Sequence, residues 1–401
     1  MDPRVAESFQ ALRRELKGLF VERDEFVDGA LAALLARQHV LLVGPPGSGK
    51  STIVHALCER IPGASYFHWL LTKFTTPEEL FGPVSLQGLE QDRYYRVTEG
   101  KLPRAHIAFL DEIFKANSAI LNALLSLINE RVYYNDATPT SVPLYTLFGA
   151  SNVTPESRDL DCLFDRFLFR FQVDYIEDGD GFRSMLEAPE DAPGAASLSL
   201  ADLEQAQADT ARVEVGDEVI GWLGGIRSRI RSHGLVVSDR RFRASLSGLR
   251  AHAYLEGRSR VAARDLNVLG HMLWSVPEER SVIEEIVTAI VAPKLHAALQ
   301  IIHQADDVHA KALQTWFNPD EESAAIVEAH AKLLRLTRRL KDICSDAVDG
   351  ESAPRLRQLG SRLASHLGEV EARQRQLAGD GGRPASEEES IHEDAGRLRG
   401  P

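Results

Sequence analysis

Cysteine is scarce in this chain, and what little there is excludes two classes at once. Three cysteines in 401 residues, Cys58, Cys162 and Cys344, are too few and too far apart for a disulfide framework or a zinc-ligand spacing. No apolar run approaches the ~18 residues that a membrane span requires. The start, Met1-Asp2-Pro3-Arg4, is charged and lacks the apolar stretch of a secretory leader, so a cytoplasmic protein is expected. Net positive charge is also missing. A formal charge of −13 argues against a general nucleic-acid or anionic-membrane surface. Hydrophobic content of 44% is ordinary for a folded protein, and the length allows two or three domains.

What is present is concentrated in one stretch. The apolar run Val40-Leu41-Leu42-Val43 leads into Gly44-Pro45-Pro46-Gly47-Ser48-Gly49-Lys50-Ser51, and Thr52 to Glu59 continue as a helix. Strand, G-x-x-x-x-G-K-[ST], helix is the full context of a phosphate-binding loop. Its glycines let backbone N–H groups curl around a phosphate chain. Lys50 is placed to neutralise the β- and γ-phosphates and Ser51 to ligate Mg²⁺, with the helix N-terminus favouring the anion. A nucleoside triphosphate is the expected ligand.

A second apolar run, Ile107 to Leu110, ends in Asp111-Glu112, the pattern of a Walker B strand. Asp111 is expected to hold the metal and Glu112 to polarise the attacking water. A third strand, Leu144 to Phe148, leads to Gly149-Ala150-Ser151-Asn152, whose amide could orient that water. Asp165-Arg166-Phe167 precedes a last strand, Leu168 to Phe171. There Arg166 reads either as a surface ion-pair residue or as a finger reaching the γ-phosphate of a neighbouring subunit. Residues 201–277 read as all helix. Ser238 is an N-cap, and Arg240-Arg241 in the first turn oppose the helix dipole, so a nearby anion would account for them.

Beyond Pro277, helical faces recur at Ile326 to Ile343 and Leu356 to Leu377, with a turn around Val348 to Pro354, and predict an antiparallel hairpin. The expected divisions are 1–188, an α/β core with a hairpin-like insertion at about 82–98; 199–277, an all-α lid; 278–378, a helical extension; and 379–401, a disordered tail. A linker is expected near 187–198, where composition turns to Ala, Pro, Gly and acids.

In combination these pieces resemble the AAA+ ATPases, more narrowly the MoxR group and its RavA type. The resemblance is carried by Leu102-Pro103-Arg104-Ala105, Phe109 to Ala116, Gly149 to Asn152, Asp165-Arg166-Phe167, Phe182 to Leu186 and Val237 to Arg241, and covers roughly 5–277. It implies a parallel sheet of order 5-1-4-3-2 with helices on both faces, and a helical lid. It also implies a homo-hexameric ring with ATP and Mg²⁺ between subunits, a chaperone-like role, and a protein partner with a von Willebrand factor A domain. On this mapping Gly44 to Thr52 bind nucleotide, Ser51 and Asp111 the metal, Glu112 is the Walker B acid, and Asn152 is sensor 1. Arg166 is the arginine finger, and Arg240 is sensor 2, with Arg241 the alternative. No β-rich module follows residue 280, which departs from the best-known RavA-type chains.

Three functions fit this reading: an ATP-hydrolysing remodeller of a protein partner, a nucleotide-gated assembly scaffold, and a nucleic-acid motor. The last is raised by Arg227, Arg229, Arg231, Arg240, Arg241 and Arg243 and lowered by the acidic total and the absence of an aromatic-interleaved basic stripe.

Overall fold

The computed structural model describes residues 2–136, 138–152, 160–187, 196–345 and 353–380. Most of the expected linker, the turn between the last two helices and most of the expected tail lie outside the described residues. The chain forms two compact units, residues 1–291 and 292–401.

Apolar runs in the first unit become parallel strands. β1 (His39–Val43), β2 (Tyr66–Leu70), β3 (Ile107–Asp111), β6 (Thr146–Ser151) and β7 (Phe167–Gln172) make one sheet in the order β2-β3-β6-β1-β7. All four pairings are parallel. In the numbering of the five core strands this is the expected 5-1-4-3-2. Every residue of β1 and of β6 is buried, as continuous apolar strands covered on both faces should be.

Helices α1 (Pro3–Leu19), α2 (Asp24–Ala36) and α3 (Lys50–Glu59) pack around the sheet, α2 against β1 and β7 and α3 against β3. The approach of α2 is close because Gly29 has no side chain. A Cβ there would meet the Phe171 ring at 1.9 Å.

Between β2 and β3 the chain makes two short helices, α4 (Pro77–Phe81) and α5 (Leu86–Leu89). The hairpin-like insertion is reduced to one antiparallel bridge, Val84 to Arg96, with α5 between its arms. After α6 (Ser118–Glu130) comes an antiparallel hairpin, β4 (Val132–Asn135) and β5 (Thr138–Ser141). The Asn135 side chain brackets Arg96, accepting from its N–H at 2.7 Å and donating to its carbonyl at 3.0 Å. The two excursions are thereby tied together.

After α7 (Asp161–Phe164), α8 (Gly179–Glu187) and α9 (Leu200–Ala211), the lid elements follow: α10 (Asp217–Ser232), α11 (Asp239–Leu255), a 3₁₀ segment at Ala263–His271, and α12 (Glu279–Val291). The sequence periodicity suggests an α-helix over 261–273. Asp265, fully buried between His252 and Arg258, also accepts from the Ala262 amide at 2.7 Å, and this three-residue closure suits the tighter winding. Helix α12 buries Ile283, Ile286 and Val287 in the same hydrophobic cluster as the rest of this unit. The extension therefore begins at 292 rather than 278.

The second unit has three helices, α13 (Pro293–Ala312) and then α14 (Pro319–Ser345) and α15 (Ala353–Asp380), the last two in the spans read as a hairpin. They enclose a separate core that includes Ile301, Ile302, Ile326, Leu333, Leu363 and Val370. Among the described residues of the chain, no helix is long and apolar enough to cross a membrane.

Candidate active site

The carboxyl ends of β3, β6 and β1 are neighbours, and each delivers one piece of chemistry. Gly44 follows β1 and donates to the Ser151 carbonyl at 3.0 Å. A Cβ on Gly44 would lie 2.1 Å from the Val173 carbonyl oxygen, so only glycine fits. Gly47 and Gly49 turn through φ 78° and 83°, conformations that L side chains rarely adopt. Gly49 is the N-cap of α3, which starts at Lys50 and Ser51. Loop curvature and a helix N-terminus make an anion cradle of the right kind for a polyphosphate.

Lys50 folds over its own loop. Its Nζ donates to the carbonyls of Gly44 at 2.8 Å and Pro45 at 2.6 Å, and to Ser48 Oγ at 3.2 Å. Burial pulls the Lys50 pKa down, and the charges of Asp111 and Glu112 oppose that shift. All three groups therefore share one electrostatic neighbourhood.

Asp111 ends β3 and accepts the Glu112 amide at 3.0 Å. Glu112 sits at φ 51°, an uncommon conformation for a non-glycine residue, and its carboxylate lies 3.3 Å from Lys115. Strain of this kind concentrates at functional positions. Asn152 follows β6, between the β1 and β3 ends, and is exposed. Thr52, Pro45, Pro46, Ser48 and Ser51 belong to the same loop and helix start. All of these sequence-predicted residues are brought to one edge of the sheet.

Two residues at this edge went unnoticed in the sequence. Arg23 donates to the Ser48 carbonyl at 3.4 Å and also to the Asp174 carbonyl; burial lowers its pKa. The Tyr175 hydroxyl donates to the Pro46 carbonyl at 3.1 Å. Beside them is a cavity of about 260 Å³ lined by Glu22, Arg23, Phe26, Phe171 and Val173 among others. Glu22 closes one side, accepting from the amides of Glu177 at 3.1 Å and Asp178 at 2.9 Å. Arg23 stands in a break between two helices, and nothing local in the sequence marks it.

The arginines form a different group. Arg166 immediately precedes β7, whose first residue, Phe167, pairs with His39 at the start of β1. Its Nε is buried without a hydrogen-bond partner among the described residues. Asp165 accepts from Ser238 Oγ at 2.9 Å and from Arg241 at 3.2 Å, and lies 4.0 Å from Arg240. Arg240 also reaches Asn129 at 3.2 Å, and its side chain is 44% exposed.

Arg241 is 5% exposed and is spent on the fold, donating to the carbonyls of Leu273 and Trp274. Arg170, fully buried, lies with its guanidinium 3.8 Å from the Phe164 ring centre and donates to the carbonyls of Phe164, Phe167 and Trp274. The structure thus gathers Arg166 and Arg240 together, at the opposite edge of the sheet from the phosphate cradle.

A parallel sheet in this order, with a phosphate-binding loop after β1, an acid pair at the end of β3 and a helical lid, defines an AAA+ ATPase. Comparison with known proteins narrows the class. A family model described as the MoxR domain of MoxR-vWA-beta-propeller ternary systems matches residues 7–209, and an AAA lid domain model matches 218–287. An uncharacterised protein of Methanocaldococcus jannaschii is 39% identical over 284 residues, 71% of this chain and 74% of that one. The chaperone MoxR1 of Mycobacterium tuberculosis is 29% identical over 166 residues, 40% of this chain and 43% of that one. A crystal structure of a candidate ATPase from Cytophaga hutchinsonii aligns with a TM-score of 0.59 at 15% identity, covering 71% of this chain and 94% of that one. That last likeness concerns the fold alone. The chain belongs to the MoxR family of AAA+ ATPases, a chaperone-like group.

Proposed function

We propose that this protein hydrolyses ATP at sites shared between adjacent copies of a ring, a homo-hexamer, and uses the cycle to remodel a protein partner. The observation that carries the reading is the separation of the two charge groups. β7 runs from Phe167 to Gln172, and at ~3.3 Å per residue its ends are about 16 Å apart. That exceeds twice the length of an extended arginine side chain. This separation supports a role for Arg166, and for Arg240 beside Asp165, at a nucleotide held by a neighbouring copy rather than at the cradle of their own chain.

On this reading Gly44 to Thr52 hold the triphosphate, with Lys50 against its charge. The cavity beside Arg23 and Glu22 receives the base. Ser51 and Asp111 would hold Mg²⁺, which supplies charge neutralisation on the phosphate oxygens. The donor set fits that ion, being a hydroxyl and a carboxylate, hard oxygen ligands. Glu112 takes up and orients the water's proton, and Asn152 positions the same water from the end of β6. Arg166 of the adjacent copy bears the charge that develops on the transferring phosphoryl group, with Arg240 beside it as sensor 2.

The partner side rests on two supports. The matched family model describes MoxR domains that operate with vWA components, so a protein with a von Willebrand factor A domain is the proposed partner. The excursions between β2 and β6 carry exposed apolar groups, Phe74, Leu86, Tyr94 and Tyr134. Such a surface suits contact with a protein client.

Sedimentation velocity with the Glu112→Gln variant tests the assembly. Saturating ATP with Mg²⁺ is expected to shift the protein to a hexamer-sized species that chelation of Mg²⁺ disperses. A variant that binds ATP yet stays monomeric would contradict the proposal.

A further inference from the structure

The unit formed by α13, α14 and α15 carries a second concentration of ligating groups. Asp306 and His309 stand three residues apart on α13 and share a face; His366 and Glu369 do the same on α15. The two pairs meet in register. His366 Nε2 lies 2.7 Å from Asp306 Oδ1, and His309 Nε2 lies 2.9 Å from Glu369 Oε2. The two imidazoles stack with centroids 4.1 Å apart and planes 21° from parallel. Their side chains are 18% and 16% exposed.

Two features go beyond a pair of ion pairs. One ligand atom from each of His309, His366 and Glu369 lies within 4.8 Å of the other two. In addition, His366 Nδ1 is buried with no hydrogen-bond partner among the described residues. With its Nε2 side held by the Asp306 carboxylate, the ring offers Nδ1 as the atom left to bind a ligand. Leaving a buried polar atom unpaired is costly.

We propose that His309, His366 and Glu369 form a divalent transition-metal site that joins α13 to α15, with Asp306 orienting His366 from behind. Two imidazoles and one carboxylate are borderline ligands that suit Zn²⁺, Co²⁺ or Ni²⁺ better than Mg²⁺ or Ca²⁺. A carboxylate accepting the second N–H of a ligating histidine is the usual support for such a site. Metal–nitrogen and metal–oxygen bonds of ~2.1 Å place tetrahedral ligand atoms about 3.4 Å apart. Closing the triangle therefore takes about an ångström of side-chain adjustment. Three protein ligands leave a fourth position for water.

The test uses the full-length protein, stripped with a chelator and kept free of nucleotide and Mg²⁺, with Co²⁺ or Zn²⁺ as the only added ion. Wild type is expected to take up one equivalent of Co²⁺ with the visible absorption of a nitrogen-ligated, low-coordinate ion, and Zn²⁺ should displace it. His309→Ala should abolish the band. Asp306→Asn should weaken binding about 10–100-fold. Glu369→Gln keeps the side-chain shape at a half-exposed position. It should melt like wild type without metal but lose the rise in melting temperature that Zn²⁺ gives wild type. Absence of a Co²⁺ band in wild type overturns the proposal. So does binding that survives His309→Ala and Glu369→Gln unchanged, since the ion then sits elsewhere among the histidines.

Discussion

Arg166 precedes Phe167, whose partner in the sheet is His39 at the amino end of β1, whereas Gly44 follows Val43, which pairs with Gln172 at the other end. One strand length separates the Arg166 backbone from the glycine-rich loop of the same chain. The sequence places both groups within one domain and leaves Arg166 open between a surface ion pair and a finger. Register places Arg166 at the end of β7 away from the loop of its own chain.

Lys50 and Arg166 should fail in different ways. Lys50→Ala removes a charge from the cradle, so nucleotide affinity should be largely lost, as a fluorescent ATP analogue would report. Arg166→Ala leaves the cradle intact. Affinity should stay within a small factor of wild type while kcat falls about 10³-fold or more. Equal losses of affinity in both variants would contradict this division.

Arg240 and Arg241 are adjacent in sequence but should separate stability from turnover. Arg241 is buried, tied to Asp165 and to two carbonyls, and anchors the lid helix to the start of β7. Arg241→Ala should lower unfolding free energy by about 3 kcal/mol, because Asp165 loses its partly buried partner. Arg240 is largely solvated, so Arg240→Ala should melt within about 0.5 kcal/mol of wild type and still lose turnover. Urea unfolding and an ATPase assay on the same two variants check both halves.

Acid should destabilise the core through histidines that stay neutral in the fold. His39 is fully buried, accepts the Leu147 amide at 3.1 Å and lies 3.2 Å from the Ile128 carbonyl. Burial lowers its pKa to about 3, and burial lowers that of His271 to about 4. An unfolded histidine takes a proton near pH ~6.5. Stability from these sites is therefore complete above that pH and is lost as pH falls towards the folded values, by up to ~1.4 kcal/mol per unit for each group. His39→Gln can keep one donor and one acceptor in place. It should reduce the slope of melting temperature against pH between 7 and 5 by roughly half. An unchanged slope would show that His39 does not carry the effect.

How much of this was legible follows from range. The cradle was readable because its chemistry is local: an apolar strand, a fixed loop and a helix start lie within 20 residues. Asp111-Glu112 and Asn152 were readable as polar groups at the ends of apolar runs. Strand order came only with the resemblance, since pairing partners such as Val40 and Phe148 are far apart in the chain. Arg23 reaches Ser48 and Asp174 across helix breaks, so no spacing announces it. Arg170 reads as an ordinary strand residue and proves to be fully buried among carbonyls. The β4–β5 hairpin was missed because its strands are four residues each and one contains Pro139. Helix α13 falls in the span read only as a helical extension, with no bounds of its own.

The most direct test of the shared site mixes two inactive proteins, Glu112→Gln and Arg166→Ala, under conditions where they co-assemble. Glu112→Gln lacks the water-orienting acid but offers an intact arginine, and Arg166→Ala offers the reverse. Interfaces that pair the intact halves should restore part of the wild-type ATPase rate, although each variant alone is dead. A mixture that co-assembles and stays inactive would contradict a nucleotide site completed by the neighbouring copy.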